Sequence, residues 1–459
     1  MKRFVVAALA TIGGLAMSSV AGAQTAIGDV PTFTRDVAPI FFKNCTSCHR
    51  PGEIAPMSLL TYKDARPYAR SIATQVSKGA MPPWHADPAH GQFLNDRRLS
   101  ASDKDTILRW VQAGAPEGQA AEMPPQPVYP DGWQIGRPDV VFALPEEYPV
   151  PASGTIDYKY FEVPTNFTED RWVQAFQVRP GTPSVVHHVI VYARPPKRPQ
   201  PPPSDDTAGQ GSQAPPQRRE GPFSFAPNMD EPESVKAAAA RQETPNDHPA
   251  PEAGLGGFVG GFAPGQGVRV FQSGSALKIP AGSTLIFQMH YTANGKESTD
   301  RSLIGFVFAK EVPKQEAITA ALVNANFTLP AGAANTRVDA EMKLNRDVTL
   351  WSLLPHTHVR GRRWEIQVTY PDGRSDIVLS VPQYDFNWQT DYIFKEPLKL
   401  PKGTVVRSSA WYDNSAANRS NPDPSIDVHW GEQTWEEMQF TAFTFTLDPQ
   451  RPATSGAQQ

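Results

Sequence analysis

The chain has 459 residues, more than one hydrophobic core usually supports, so we expect two or three domains. Its formal net charge is −4 and it has no polybasic stretch, which argues against nucleic acid as a partner. The 47 Pro and 33 Gly residues favour β-rich domains with many turns. No interior apolar run approaches the length of a membrane span, so we expect a soluble body without stable membrane insertion.

The first 23 residues have the pattern of a secretory signal peptide. Lys2 and Arg3 precede an apolar stretch over residues 4–16, and the small residues at 21–23 form an A-x-A cleavage site. We expect cleavage after Ala23 and a periplasmic or secreted mature protein. A retained membrane anchor is the alternative, and the shortness of the apolar stretch argues against it.

Both cysteines of the chain lie in one short motif, Cys45-Thr46-Ser47-Cys48-His49. Two thiols three positions apart can each bond a haem vinyl group, and the next residue, His49, is then the proximal iron ligand. A redox-active C-x-x-C or a disulfide is the alternative, but the sequence lacks the βαβ setting of a thioredoxin-like motif. The motif therefore predicts one covalent haem c.

Helices are predicted on both sides of this motif. Thr34 is predicted to cap a first helix with apolar residues at 37, 40 and 41 on one face. A second helix is predicted over 102–113, capped by Ser102 and ended by the Gly and Pro that follow. With the haem motif between them, residues 28–118 resemble a small all-α cytochrome c domain.

The sixth iron ligand is expected downstream of the motif. We predict Met81, because the two prolines that follow it make a rigid loop able to hold sulfur against iron. Met57 and His85 remain alternatives. His85 and His90 are otherwise interpreted as surface histidines.

From residue 119 onward the pattern changes. Residues 119–137 are rich in Pro and polar residues and are predicted to form a linker. Short strand-like segments follow, among them 173–178 and 185–192, and a hairpin is predicted where 365–369 and 376–380 flank a Pro-Asp-Gly turn. These segments predict β-sandwich domains.

Two further stretches have too few apolar residues to build a core. Residues 195–250 contain Pro runs with Gln, Ser, Asp and Glu, and we predict a disordered insertion in the first β domain. Within it, 237–240 is a candidate short helix and His248 is interpreted as solvated. Residues 449–459 are predicted to be a disordered tail.

Five of the ten histidines lie among apolar, strand-like residues. They form a His-His pair, a single His and a His-x-His pair, at His187, His188, His290, His356 and His358. Neutral imidazole suits copper and zinc, and thioether sulfur such as that of Met438 suits Cu(I). For any one of these residues, an ordinary hydrogen-bonded histidine is the alternative.

The spacing of each pair sets a geometric condition. Residues i and i+2 of a strand share a face, so His356 and His358 can bind one metal without distortion. His187 and His188 point to opposite faces of a regular strand, so sharing a metal requires a bend or bulge there. His290, from another strand, would complete that site.

In their order along the chain, His-His, His-Tyr, His-Thr-His and Glu-Met resemble the copper type II, ascorbate-dependent monooxygenases. That family includes peptidylglycine α-hydroxylating monooxygenase and dopamine β-monooxygenase. The resemblance implies two jelly-roll sandwich domains, at 138–312 and 313–448, with the boundary near 311–316. It also implies two coppers, one bound in each domain.

Carried over residue by residue, the resemblance implies that His187, His188 and His290 bind the electron-transfer copper. His356, His358 and Met438 would bind the copper at which O2 reacts, with His429 as a lesser ligand candidate. The implied activity is hydroxylation of a C–H bond of a small organic substrate, and no side chain has the pattern of a required general base. The haem would relay electrons from a periplasmic donor or an ascorbate-like reductant.

The sequence departs from the family in two ways, of which the second bears on the substrate. Outside the haem motif this chain has no cysteine, whereas the animal enzymes have several disulfides. Leu354 and Ala442 stand where the peptide hydroxylase has the Arg and Tyr that hold the substrate carboxylate, so we expect a less charged molecule. The alternatives are a non-catalytic electron-transfer or copper-binding protein, and a cytochrome fused to a metal-free binding module.

Overall fold

The structure is a computed structural model that describes residues 30–53, 55–129, 132–196, 257–263, 266–431 and 433–448. These residues are mainly β, with a short helical region ahead of the strands. The predicted signal peptide, the insertion from residue 197 onward with His248, and the predicted tail lie outside the described residues.

The helical region is built from short helices and single helical turns. In chain order they are a π-helical turn (Phe33–Val37), α1 (Ala38–Asn44), α2 (Tyr62–Ala65), a 3₁₀ turn (Arg66–Tyr68), α3 (Ala69–Lys78), α4 (Ala101–Gln112) and a 3₁₀ turn (Ala120–Glu122). Phe41 of α1 meets Trp110 of α4 edge-on, with ring centroids 6.3 Å apart. The helices before and after the C-x-x-C-H motif therefore share one buried core.

Both predicted helix caps are wrong. The first helical turn begins at Phe33, so Thr34 lies inside it, and its buried hydroxyl has no hydrogen-bond partner among the described residues. At α4 the Ser100 hydroxyl, not that of Ser102, accepts a hydrogen bond from Asp103 N at 3.0 Å. Both serines have an Asp three positions later, so the pattern alone does not separate them.

Two groups of strands follow the helical region. The first group, here called the first β half, comprises β1 (Val140–Ala143), β2 (Tyr148–Val150), β3 (Lys159–Pro164), β4 (Arg171–Arg179), β5 (Val186–Arg194), β6 (Phe258–Phe262), β7 (Val268–Val270), β8 (Ser275–Ile279), β9 (Thr284–Tyr291), β10 (Ser298–Asp300) and β11 (Leu303–Phe308). The second β half comprises β12 (Gln315–Asn324), β13 (Thr328–Leu329), β14 (Thr336–Lys343), β15 (Val348–His356), β16 (Gly361–Thr369), β17 (Ser375–Val381), β18 (Tyr392–Leu400), β19 (Val405–Tyr412), β20 (Val428–His429) and β21 (Gln439–Leu447).

One nine-stranded sheet runs through both halves in the order β1-β11-β4-β8-β12-β21-β15-β18, with β7 also paired to β4. The halves join where β8 and β12 pair in parallel, Ser275 opposite Gln315 and Ala276 opposite Glu316. A four-stranded sheet, β3-β9-β5-β6, belongs to the first half, and another, β14-β19-β16-β17, belongs to the second. The predicted domain boundary at 311–316 covers the connection between β11 and β12 and the start of β12.

Each four-stranded sheet packs against its part of the large sheet. In the first half, Val189 and Phe287 share a buried cluster with Phe176 and Phe306 of the large sheet. The second half repeats this arrangement around the fully buried Trp364. Alternate residues of the strands thus form two sandwich cores. The predicted hairpin is confirmed, since β16 and β17 pair antiparallel across the Pro-Asp-Gly turn.

The helical region is anchored to the second β half by the segment between α3 and α4. Trp84 and Phe93 belong to the core of that half, where both rings contact Tyr392, at centroid distances of 5.1 and 5.3 Å. Backbone hydrogen bonds add a bridge, with Lys395 N donating to Gln92 O at 2.8 Å. In the described part of the chain, no helix has both the length and the apolar character needed to cross a membrane.

Candidate metal sites

The first candidate site lies where β5 and β9 pair. His188 is directly opposite His290, and the register shifts between Val186 and His188, so His187 is the extra residue of a bulge. The bulge that the His-His pair requires is therefore present. It turns two adjacent side chains toward the same place.

The ring nitrogens of this first site converge. Nδ1 of His188 lies 3.4 Å from Nδ1 of His187 and 3.4 Å from Nδ1 of His290. Two nitrogens bound to one metal at about 2.0–2.1 Å, at a trigonal or tetrahedral angle, are about 3.3–3.6 Å apart. Both measured Nδ1 spacings therefore fit ligands of one metal ion, and the ligand atoms of all three histidines lie within 4.8 Å of one another.

The electrostatics of the first site also suit a metal. Burial lowers the pKa of His187 to about 4 and that of His290 to about 3. Burial, together with the neighbouring histidines, lowers the pKa of His188 well below its usual value. The three imidazoles are thus neutral at pH 7, which is the form that binds metals.

The second candidate site lies at the end of β15. That strand ends at His356, so His358 stands in the turn that follows, and the prediction that both residues share one face of a strand is wrong. The turn nevertheless brings the rings together, with centroids 5.2 Å apart. His356, His358 and Met438 all line one cavity. His429 is exposed on β20, hydrogen bonds Thr328, and does not line that cavity.

Hydrogen bonds fix which nitrogen of each second-site histidine is free. Nδ1 of His356 lies 2.8 Å from the side-chain oxygen of Gln389, and Nδ1 of His358 lies 3.1 Å from the carbonyl of Glu436. Because these oxygens accept, each Nδ1 carries the proton and each Nε2 keeps its lone pair. The second site thus offers Nε2 atoms, whereas the first offers Nδ1 atoms.

Glu437 organises the second site, a role that sequence reasoning missed. Its fully buried carboxylate accepts hydrogen bonds from Thr357 Oγ1 at 2.5 Å and from the backbone N–H groups of His358, Arg360 and Met438 at 2.8, 2.7 and 3.2 Å. Burial raises the pKa of Glu437 to about 7, against the opposing effect of these donors. One carboxylate therefore holds together the His-x-His turn and Met438, the residue that precedes β21. The only sequence signal for it is its place next to Met438.

The two sites are neighbours. The ring of Phe386 stacks on His187 with centroids 4.9 Å apart and lies 5.9 Å from the ring of His358. A cavity of about 230 Å³ is lined by His188 from the first site and by His356, His358 and Met438 from the second. Both sites thus contribute to the walls of one cavity between the β halves.

The haem motif forms a compact turn after α1. Its thiols at Cys45 and Cys48 are free, and Nδ1 of His49 lies 3.2 Å from the carbonyl of Met57. Burial raises the pKa of Cys45 to about 12 and lowers that of His49. With Nδ1 oriented by a carbonyl, Nε2 of His49 is free to bind iron, so the motif fits a covalent haem.

The candidate sixth ligands lie in different surroundings. Met57 packs against the helical core, and its carbonyl is the partner of His49. Met81 follows α3 and is half-buried. His85 and His90 are half-buried rather than surface residues. Burial lowers the pKa of His85, and the negative charge of Asp385 in the second β half partly offsets this shift.

Comparisons with known proteins do not identify the chain. No protein-family model matches it, and no curated protein sequence matches it. Among solved structures, an allantoicase has 7% identity over 58% of this chain and 81% of its own, with a TM-score of 0.16. A chain in the structure of the infectious bursal disease virus Gx strain has 8% identity over 71% of this chain and 76% of its own, with a TM-score of 0.19. At these TM-scores the likenesses carry no argument about fold or function.

Proposed function

We propose that this protein is a periplasmic or secreted copper monooxygenase with a covalent haem, which hydroxylates a C–H bond of a small organic substrate with O2. The observation that carries the proposal is that two groups of metal-ligand side chains both contribute to the walls of one cavity, the first through His188 and the second through His356, His358 and Met438. A binding module without metals has no need for two histidine Nδ1 atoms that each lie at metal-ligand spacing from the Nδ1 of a third.

Each copper has its own set of ligands in this proposal. His187, His188 and His290 would hold the electron-transfer copper, and His356, His358 and Met438 would hold the copper where O2 reacts. When bound, the two coppers and the haem would supply single-electron transfer and the reductive activation of O2. Imidazole with thioether suits the Cu(I) state that such chemistry needs.

The protein's own residues have three tasks around these sites. Burial keeps the imidazoles of both sites neutral. Gln389 and Glu437 orient the second-site ligands. Phe386 fills the space between the rings of His187 and His358.

The helical region would hold the haem through Cys45, Cys48 and His49, as an all-α cytochrome c domain. Because the Met57 carbonyl already orients His49, Met81 is the methionine that would serve as the second iron ligand. Anchoring through Trp84 and Phe93 keeps this region next to the second β half. In this proposal the electrons come from a periplasmic donor or an ascorbate-like reductant.

The two sandwich halves support the jelly-roll architecture that the proposal implies, since each pairs a four-stranded sheet with part of the large sheet. The two groups of three ligand residues fall one in each half, and both contribute to the walls of the shared cavity. This placement matches a two-copper enzyme whose substrate lies between its domains.

Metal analysis of protein made with haem maturation tests the proposal. We expect one iron and about two coppers per chain, with one copper lost in His187→Ala and one in His356→Ala. His429→Ala, at an exposed histidine of the second half, is the matched control and should keep both. Iron without copper after copper loading would refute the proposal. Two coppers without substrate-dependent O2 uptake would leave a non-catalytic electron-transfer or copper-binding protein.

A further inference from the structure

The cavity that both sites share has a composition that restricts its ligand. Its walls come from β4, β5, β6, β7 and β9 of the first half and from β12, β15 and β21 of the second, with residues of the connecting loops. Most of the wall is apolar, with the larger contributions from Phe176, Phe258, Phe262, Phe271, Leu354 and Phe440. Leu354 and Ala442 stand directly opposite each other on β15 and β21, so the wall beside the second site is apolar as well.

Charge in this cavity is already neutralised. Of the described residues that line it, only Arg269 and Asp391 carry a full charge at neutral pH, and they form an ion pair with each other. Arg269 also donates to Ser352 Oγ at 2.9 Å. Among the side chains of the wall, a charged ligand would therefore find no free counter-ion to compensate for its lost hydration.

The polar amides of the wall are also engaged. Gln389 binds His356, and Gln266 accepts a hydrogen bond from Asp391 N at 2.9 Å. Gln288 donates to Tyr160 Oη at 2.7 Å. The three glutamine side chains of the wall are thus already paired within the protein.

The volume sets the size of the ligand. An apolar cavity of about 150 Å³ can hold benzene. At about 230 Å³, this cavity has room for one ring with a short substituent.

We propose that the cavity binds a neutral, mainly apolar molecule containing one ring and a short substituent, and that such molecules are the substrate class. The substrate part of this inference rests on the proposed function. The binding part rests on the cavity alone.

The test compares three probes of nearly equal size: benzyl alcohol, benzylammonium and benzoate. Calorimetric titration uses full-length protein that carries haem but has been stripped of copper, so that no metal ion can act as a counter-ion to benzoate. We expect benzyl alcohol to bind at least about tenfold more tightly than either ion, since an uncompensated buried charge is costly. Equal or tighter binding of benzoate or benzylammonium would overturn the inference, whether or not the protein is a monooxygenase.

Two variants locate the binding. Ala442→Phe fills the cavity and should lower the affinity for benzyl alcohol at least tenfold, while Val312→Phe, at a position that is 80% exposed, should not. Unchanged affinity in a folded Ala442→Phe protein would also overturn the inference. Tight binding of benzyl alcohol by protein that retains no copper after copper loading would refute the proposed function and leave the neutral-ligand cavity intact.

Discussion

The side-chain oxygen of Gln389 lies 2.8 Å from Nδ1 of His356. The main chain of Gln389 is held in turn from the first β half, because Gln266 donates a hydrogen bond to its carbonyl. A residue of one half thus orients, through a single intermediate, a candidate ligand in the other half. This arrangement fixes the tautomer in which Nε2 of His356 is free for metal.

Gln389→Leu removes the acceptor for His356. We expect its second-site affinity for Cu(I) to fall about 10–100-fold, as is usual when the outer partner of a ligand is lost, with the first-site affinity unchanged. Competition with a chromophoric Cu(I) chelator measures both. Gln389→Glu keeps an acceptor oxygen and should retain most of the affinity. Equal losses in both variants would mean that packing, not the hydrogen bond, matters.

Glu437→Gln replaces one acceptor oxygen by an NH2 group that faces backbone donors. We expect the free energy of unfolding to fall by about 2–3 kcal/mol, because hydrogen bonds to a charged group are lost and a donor is left facing donors. Urea denaturation measures this change in metal-free protein. Glu146→Gln, at an exposed position, should have almost no effect. A loss below about 0.5 kcal/mol would show that the carboxylate is not needed to hold the turn.

Sequence reasoning found the parts of these sites that are local. The His187–His188 pair required a bulge, and the bulge is present. Sequence reasoning did not find the role of Glu437. Three of the four donors to its carboxylate lie in the turn after β15, and they reach Glu437 only after β15 and β21 pair. For the same reason it placed His358 on a strand, although the hydrogen bonds to Glu437 hold that residue in a turn.

For the fold, as for the sites, sequence reasoning predicted local features and missed contacts between residues that are distant in the sequence. Alternating apolar residues and the Pro-Asp-Gly turn predicted the β16–β17 hairpin. The joining of the halves through β8 and β12 rests on two residue pairs, which no local pattern indicates. The anchoring of Trp84 in the second β half was missed because its partner Tyr392 is about three hundred residues away in the sequence, beyond the reach of periodicity.

The stability of the metal-free protein should fall in acid through His356. Burial lowers its pKa from 6.5 to about 4, so the unfolded chain binds the proton more tightly than the folded one does. The stabilising contribution is complete above pH 6.5 and is lost as pH falls through about 4, an effect of about 3 kcal/mol. Glu437 acts in the opposite direction because its pKa is raised to about 7, so its stabilising contribution is present in acid and is lost as pH rises from 4.5 through 7.

Comparison with His356→Asn isolates the histidine, because Glu437 is present in both proteins. Urea denaturation at pH 7 and at pH 4.5 should show wild type losing about 2–3 kcal/mol more than the variant. The same comparison for His429→Asn, at an exposed position, should show little difference between the two pH values. Parallel losses in wild type and His356→Asn would contradict the assignment.

The anchoring of the helical region gives the last prediction. Trp84→Ala removes a buried ring that contacts Tyr392 and Phe93, so we expect a loss of about 3–5 kcal/mol of unfolding free energy from the second β half. Amide hydrogen exchange should be faster at Lys395, whose N–H bonds the carbonyl of Gln92, and the haem absorption bands should not shift. Tyr68→Ala, at an exposed aromatic residue of the helical region, is the control. If Trp84→Ala shifted the haem bands but left exchange at Lys395 unchanged, Trp84 would belong to the haem pocket rather than to the anchor, and the helical region would have to be held to the β halves by other contacts.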